Sequence, residues 1–140
     1  MTVSFPPSEG DTYAYERRFE PAEVRRFGEL SGDQQPIHTE PDEDGRLIVQ
    51  GLLTATLPTK IGGDLRYIAR EMDFRFLQPV YTGEAIACEC VLESVTERDR
   101  YYDVRSAVVC TNEDGEDVLT GEIDGIIRKD MIADALEERE

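Results

Sequence analysis

Residues 48–61 read IVQGLLTATLPTKI, and this stretch decides the fold. Leu52, Leu53, Ala55, Thr56 and Leu57 put apolar or small side chains on nearly every side of a helix. A helix of that kind is normally buried. Gly62-Gly63 closes it, and Pro58 should kink it or end it early. Beyond it the period falls to two. Met72, Phe74 and Phe76 alternate with Asp73 and Arg75; Ile86, Cys88, Cys90 and Leu92 form one face, and Tyr102, Val104, Ser106, Val108 and Cys110 another. Asn112-Glu113-Asp114-Gly115 is a turn, and Val118 to Arg128 a last long strand.

Upstream, Tyr13, Tyr15, Arg17 and Phe19 alternate within Thr12–Phe19, a first strand. Pro21 opens a short helix with Val24, Phe27 and Leu30 on one side, closed by Ser31-Gly32. Residues 31–47 (SGDQQPIHTEPDEDGRL) form a long polar connection, and loops of that length inside a domain are usually functional or disordered. The expected organisation is a loose arm over 1–11, one domain over 12–130 and an acidic tail over 131–140. The later strands do not alternate with helices, so the class is α+β: one antiparallel sheet, its strands joined by tight turns, wrapped around one buried helix. Such a sheet leaves a face or an edge for dimerisation.

Charge excludes some functions. Thirty-one acidic residues against 15 basic ones give the 140-residue chain a net charge of -16. Nucleic-acid binding needs a basic footprint, and an anionic membrane would repel this chain. The acids recur from Glu9 to Glu140 between apolar residues, which favours a folded, carboxylate-rich surface over a disordered acidic segment. That surface suits concentrated salt, where the Debye length is about 3 Å at 1 M. Met1–Gly10 lacks the basic and apolar regions of a signal peptide, so the cytoplasm is expected. Cys88, Cys90 and Cys110 form no CxxC pair and there is one His, so neither a zinc site nor a disulfide framework is expected.

Chemistry concentrates at 31–38, SGDQQPIH. Asp33 and His38 lie five apart, with Pro36 stiffening the connection between them. An Asp can orient an imidazole, or the two can grip one water, and His titrates nearest neutral pH. Taken alone, a His beside a loop carboxylate is more often a solvated or capping residue. Gly51 leaves a backbone that a ligand can approach closely, or it serves simple helix–strand packing.

SGDQQPIH at 31–38, IVQGLLTATL at 48–57 and FRFLQPVYTGEAI at 74–86 together resemble the MaoC-like dehydratases, which include the R-specific enoyl-CoA hydratases. The resemblance covers most of residues 12–128 and implies the hot-dog fold. It departs from the family pattern at Gln35, usually Asn, and at Gln50, often His. It implies that Asp33 and His38 are the catalytic pair holding the attacking water. It also implies that backbone donors at Gly51 and Leu52, where the central helix begins, receive the thioester carbonyl. Gln35 and Thr59 would support the site. The implied reaction is reversible hydration of a 2-enoyl thioester, with R stereochemistry, no metal and no cofactor beyond the coenzyme A of the substrate. The carrier would be coenzyme A or an acyl carrier protein, and the protein a homodimer or higher oligomer. Lys60, Arg66, Arg70 and Arg75 are a candidate cluster for that anionic carrier, unless they only balance nearby acids. Two alternatives stand. A hot-dog thioesterase would usually place a carboxylate near the central helix, and residues 50–63 hold none. A non-catalytic thioester-binding partner subunit is the other, favoured by Gln35 and Gln50.

Overall fold

A computed structural model describes residues 2–137. Five strands, β1 (Thr12–Arg18), β2 (Tyr67–Phe76), β3 (Ala85–Glu97), β4 (Tyr101–Thr111) and β5 (Asp117–Arg128), form one antiparallel sheet in the order β1-β3-β4-β5-β2. The helices are α1 (Pro21–Ser31), α2 (Pro36–Thr39), α3 (Gly51–Thr54), α4 (Thr56–Asp64) and α5 (Ala133–Glu137). The sheet curls around α3 and α4 in the hot-dog fold.

The expected central helix is present but divided. Ile48 and Val49 precede it in extended form, Val49 N–H donating to Val80 O, and the helix starts at Gly51. It breaks at Ala55, three residues before Pro58. Pro58 has no N–H for the Thr54 carbonyl and its ring would crowd that carbonyl, so the ladder must yield one turn upstream. Gly62-Gly63 does not close the helix, which runs on to Asp64. Leu53, Ala55, Leu57 and Ile61 are buried while Leu52 is exposed, so one side of this helix lacks a cover.

The core is where the alternation placed it. Ile86, Cys88, Cys90 and Leu92 on β3 and Tyr102, Val104, Ser106, Val108 and Cys110 on β4 are all buried. Leu30, by contrast, is exposed, and Gly28 takes the buried position beside Val24. Strand β2 is not joined to β3 by a tight turn. It pairs with β5 at the far edge, and residues 77–84 carry the chain across to β3. Two glycines of β5 admit the aromatic rings of β2. A Cβ at Gly121 would lie 2.4 Å from the Phe74 ring, and one at Gly125 would lie 2.2 Å from Ile68 O and 2.5 Å from the Tyr67 ring. Tyr67 Oη shares its hydrogen between Val104 O at 2.8 Å and Ile123 O at 2.9 Å, bonding the edge strand to its neighbours.

The terminal segments belong to the domain more than expected. Residues 2–11 form no helix or strand, but Phe5 and Pro7 are buried and Gly10 N–H donates to Leu92 O. Ile132 is buried and α5 follows it, so the domain does not stop at 130; positions 138–140 of the expected tail lie outside the described residues.

Candidate active site

The segment between α1 and α3 is built to hold one imidazole. Gly32 closes α1 in the left-handed conformation, at φ 82°, and turns the chain toward α3. Pro36 then starts α2, a single turn that sequence periodicity did not reveal; His38 N–H donates to Gln35 O and Glu40 N–H to Pro36 O. That turn buries the His38 ring. Its Nδ1 lies 2.6 Å from Ile48 O. A carbonyl oxygen can only accept, so Nδ1 carries a hydrogen, and the tautomer this bond selects has its lone pair on Nε2, facing outward.

Asp33 meets that lone pair. Its Oδ2 lies 3.4 Å from His38 Nε2, beyond the usual 2.7–3.2 Å of an N–H···O bond. Gln35 Nε2 donates to the other carboxylate oxygen, Oδ1, at 2.9 Å, and Asp33 N–H donates to Ser31 Oγ at 3.1 Å. Two acceptors therefore face one point, each fixed from behind. The amide of Gln35, at the position that is usually Asn in the family pattern, thus reaches the carboxylate.

This pair opens into a cleft of about 520 Å³. Asp33, Gln35, His38 and Gly51 lie on its wall with the apolar side chains of Ile37, Phe76, Val80 and Val118. The first-turn N–H groups of α3, from Gly51 to Leu53, have no carbonyl acceptor within their helix. A side chain at 51 would run into the Phe76 ring, 2.9 Å from an added Cβ, so this glycine lets the ring pack against the start of the helix. The Leu52 side chain points away into solvent, leaving only its N–H for the site.

Thr59, expected to support the site, stands elsewhere, and so does Gln50, the second departure from the family pattern. Thr59 donates to Ala55 O at 2.9 Å and borders a separate apolar cavity of about 210 Å³ between α4 and β2. Gln50 is buried behind the cleft, its Nε2 donating to Val24 O at 2.9 Å, so it ties α1 to the start of α3. The residue that sequence reasoning missed is Ile48, whose carbonyl sets the His38 tautomer; a backbone acceptor leaves no mark in a side-chain pattern.

Other chemistry has less support. Burial pushes the Cys90 thiol up to about 11, and a hydrogen bond with Cys110, with burial, raises Cys88 further, so neither offers a thiolate at neutral pH. Among the described residues no group of three or more His, Cys, Asp and Glu could hold a metal ion. Lys60 pairs with Asp64, and Arg70 with Asp103 and Asp124, so these cations balance local acids. No helix among the described residues is long and apolar enough to cross a membrane.

A family model described as "MaoC like domain" matches residues 4–114. Among solved structures, the chain is similar to an (R)-hydratase from A. caviae described as involved in PHA biosynthesis. Identity is 25%, the TM-score 0.75, and the match covers 87% of this chain and 98% of that one. It is also similar to an R-hydratase from Pseudomonas aeruginosa at 22% identity and TM-score 0.74, covering 87% and 82%. A third likeness is to the HadBC complex of Mycobacterium tuberculosis, a 3R-hydroxyacyl-ACP dehydratase, at 20% identity and TM-score 0.63, covering 84% and 96%. The latter two likenesses concern the fold alone. No curated protein matches the chain significantly.

Proposed function

Because the chain belongs to the MaoC-like domain family, we propose that it reversibly hydrates a 2-enoyl thioester to a 3-hydroxyacyl thioester, with Asp33 and His38 as its catalytic pair. The observation that carries this reading is the lone pair of His38 Nε2 facing Asp33 Oδ2 across 3.4 Å, with Nδ1 bound to Ile48 O. Two acceptors so placed can take both hydrogens of one water. One of them withdraws a proton as the water oxygen bonds to the β-carbon, and a proton is delivered to the α-carbon. The π electrons shift toward the carbonyl meanwhile, and negative charge builds on its oxygen. The N–H groups at Gly51 and Leu52 receive that oxygen; a preorganised donor of this kind contributes about 2.7–4 kcal/mol. In this scheme Gln35 orients the carboxylate, and coenzyme A enters only as part of the substrate. The R hydration product is the one the likeness to R-hydratases favours.

The acyl chain lies along the groove between α3–α4 and β2. Thr54 and Pro58 are four apart on one helix side, and Phe76 and Phe74 two apart on one strand face; the first of each pair borders the catalytic cleft, the second the apolar cavity. The same edge favours a homodimer. Strand β2 is an unpaired edge of ten residues, and Met72, Phe76 and Leu52 are each at least half exposed beside it. Edges of that kind are normally covered, and antiparallel pairing with a second copy covers it. Light scattering should give a dimer mass that Met72→Asp lowers; a wild-type monomer contradicts the pairing.

The activity test uses crotonyl-CoA and butyryl-CoA in molar KCl. Hydration removes the enoyl-thioester absorbance, yields 3-hydroxybutyryl-CoA and releases no thiol. Release of free coenzyme A from both substrates points instead to a thioesterase, and binding without turnover to a partner subunit.

A further inference from the structure

One buried polar side chain on the wall of the catalytic cleft has no part in the acid–base scheme. Thr54 ends α3 on that wall with 2% of its surface exposed. A helical threonine commonly bonds its hydroxyl to the carbonyl three or four residues back. Its neighbours do so: Thr56 donates to Leu53 O and Thr59 to Ala55 O. Four back from Thr54 is Gln50 O, which receives the Thr54 backbone N–H at 2.9 Å. The Thr54 hydroxyl makes no hydrogen bond among the described residues. Among them Gln50 Oε1 alone is shut away from solvent without a partner. The Thr54 oxygen, equally without one, therefore opens on the cleft. The rest of the wall defines what it can bind. Asp33 and His38 Nε2 are acceptors there, and the Nδ1 hydrogen of His38 is taken by Ile48 O. The amides of Gln35 and Gln78 are exposed, and the other side chains are apolar. Thr54 is thus the buried side-chain donor on this wall whose hydrogen is free.

We propose that the Thr54 hydroxyl donates a hydrogen bond to the thioester carbonyl oxygen, and that this bond strengthens as negative charge builds there. The proposal deepens the hydratase reading and rests on it for the transition state, but not for the bound thioester. Two features of the cleft select the carbonyl. Asp33 and His38 are acceptors and match the hydrogens of water, whereas the carbonyl oxygen is the strong acceptor on an enoyl thioester and calls for a donor. Direction agrees with chemistry. In a helix the Cα–Cβ bond tilts toward the N-terminus, so a side chain covers the turn before its own Cα. Gly51 lies three residues before Thr54 and brings no side chain of its own. The hydroxyl therefore leans toward the backbone that the carbonyl approaches. It keeps its proton throughout, and no covalent bond to it forms or breaks.

Two readouts on the intact protein test this. Thr54→Val keeps the shape of the side chain and removes the hydroxyl, while Thr54→Ser keeps the hydroxyl. In the first readout, hydration of crotonyl-CoA, Thr54→Val should lose about 10²-fold in kcat with little change in KM, as loss of one preorganised donor does. Thr54→Ser should recover most of that loss. An unchanged kcat, an equal fall in Thr54→Ser, or a change confined to KM overturns the proposal. The second readout needs no turnover. Butyryl-CoA carrying carbon-13 at the thioester carbonyl is bound to each protein, and its carbonyl stretch is read by isotope-edited infrared difference. The stretch should lie at lower frequency on wild type and Thr54→Ser than on Thr54→Val. The same frequency on all three, or no binding by wild type, overturns the proposal. A shift that depends on the Thr54 hydroxyl, on a wild type that hydrates no enoyl thioester, supports the donor and removes the hydratase reading alone.

Discussion

In the His38–Asp33 pair, Ile48 O holds Nδ1 and Gln35 holds Oδ1, and these restraints are where single substitutions act. Gln35 is the outermost of them, donating to Asp33 Oδ1 at 2.9 Å. A hydrogen bond to a charged acceptor contributes about 1.5–3 kcal/mol, less when exposed. Gln35→Ala should therefore lower kcat by about tenfold with little change in melting temperature, and Gln35→Asn, with its shorter arm, by an intermediate amount. Steady-state kinetics beside thermal melts check this; an unchanged kcat in Gln35→Ala removes Gln35 from the site. The pair was singled out by the resemblance that SGDQQPIH carries at 31–38, since the spacing of Asp33 and His38 taken alone points rather to a solvated or capping His. Its restraint by the Ile48 carbonyl was not, since that bond joins a backbone atom ten residues away. Thr59 was legible only by likeness, and its hydroxyl bonds its own helix.

Among the elements, the glycines separate close approach from empty space. A Cβ at Gly125 meets backbone as well as a ring, while one at Gly63 meets nothing within 4 Å. Gly125→Ala should destabilise by about 2–3 kcal/mol or more, as overpacking against backbone does. Gly63→Ala should stabilise α4, by about 0.5 kcal/mol. Denaturant melts of the two variants should move in opposite directions; like-signed shifts contradict the packing. Burial pushes the Tyr67 hydroxyl up to about 12 from its ordinary 10.0. A folded-state value above the unfolded one gives stability that is complete below pH about 10 and lost as pH rises toward about 12. Tyr67→Phe should flatten that alkaline loss, as chemical denaturation between pH 9 and 12 would reveal. Strands β3 and β4 were readable because both faces of each follow a strict alternation. The pairing of β2 with β5 was not, since alternation fixes the face a residue takes and not the neighbouring strand. The break at Ala55 was half readable: Pro58 announced a disturbance, and the helix yielded a turn earlier.

At the scale of the whole molecule, charge is the property that composition revealed most directly. Of the eleven Arg and Lys ion pairs among the described residues, most are exposed. Such pairs contribute little singly, so they leave the repulsion of a -16 chain to salt. The melting temperature should rise between 0.1 M and 2 M KCl; a fall over that range contradicts adaptation to concentrated salt. Composition was silent on which acids the cations meet, because pairs such as Arg70 with Asp103 and Lys129 with Glu97 form only once the sheet has formed. The measurement that reaches the centre of the account is hydration of crotonyl-CoA by wild type, Asp33→Asn and His38→Ala, side by side in molar KCl. General acid–base catalysis is worth about 10²–10⁴-fold, so wild type should turn over and both variants, still folded, should fall by at least about 10²-fold. Turnover that survives either substitution within a few-fold contradicts the assignment of this pair.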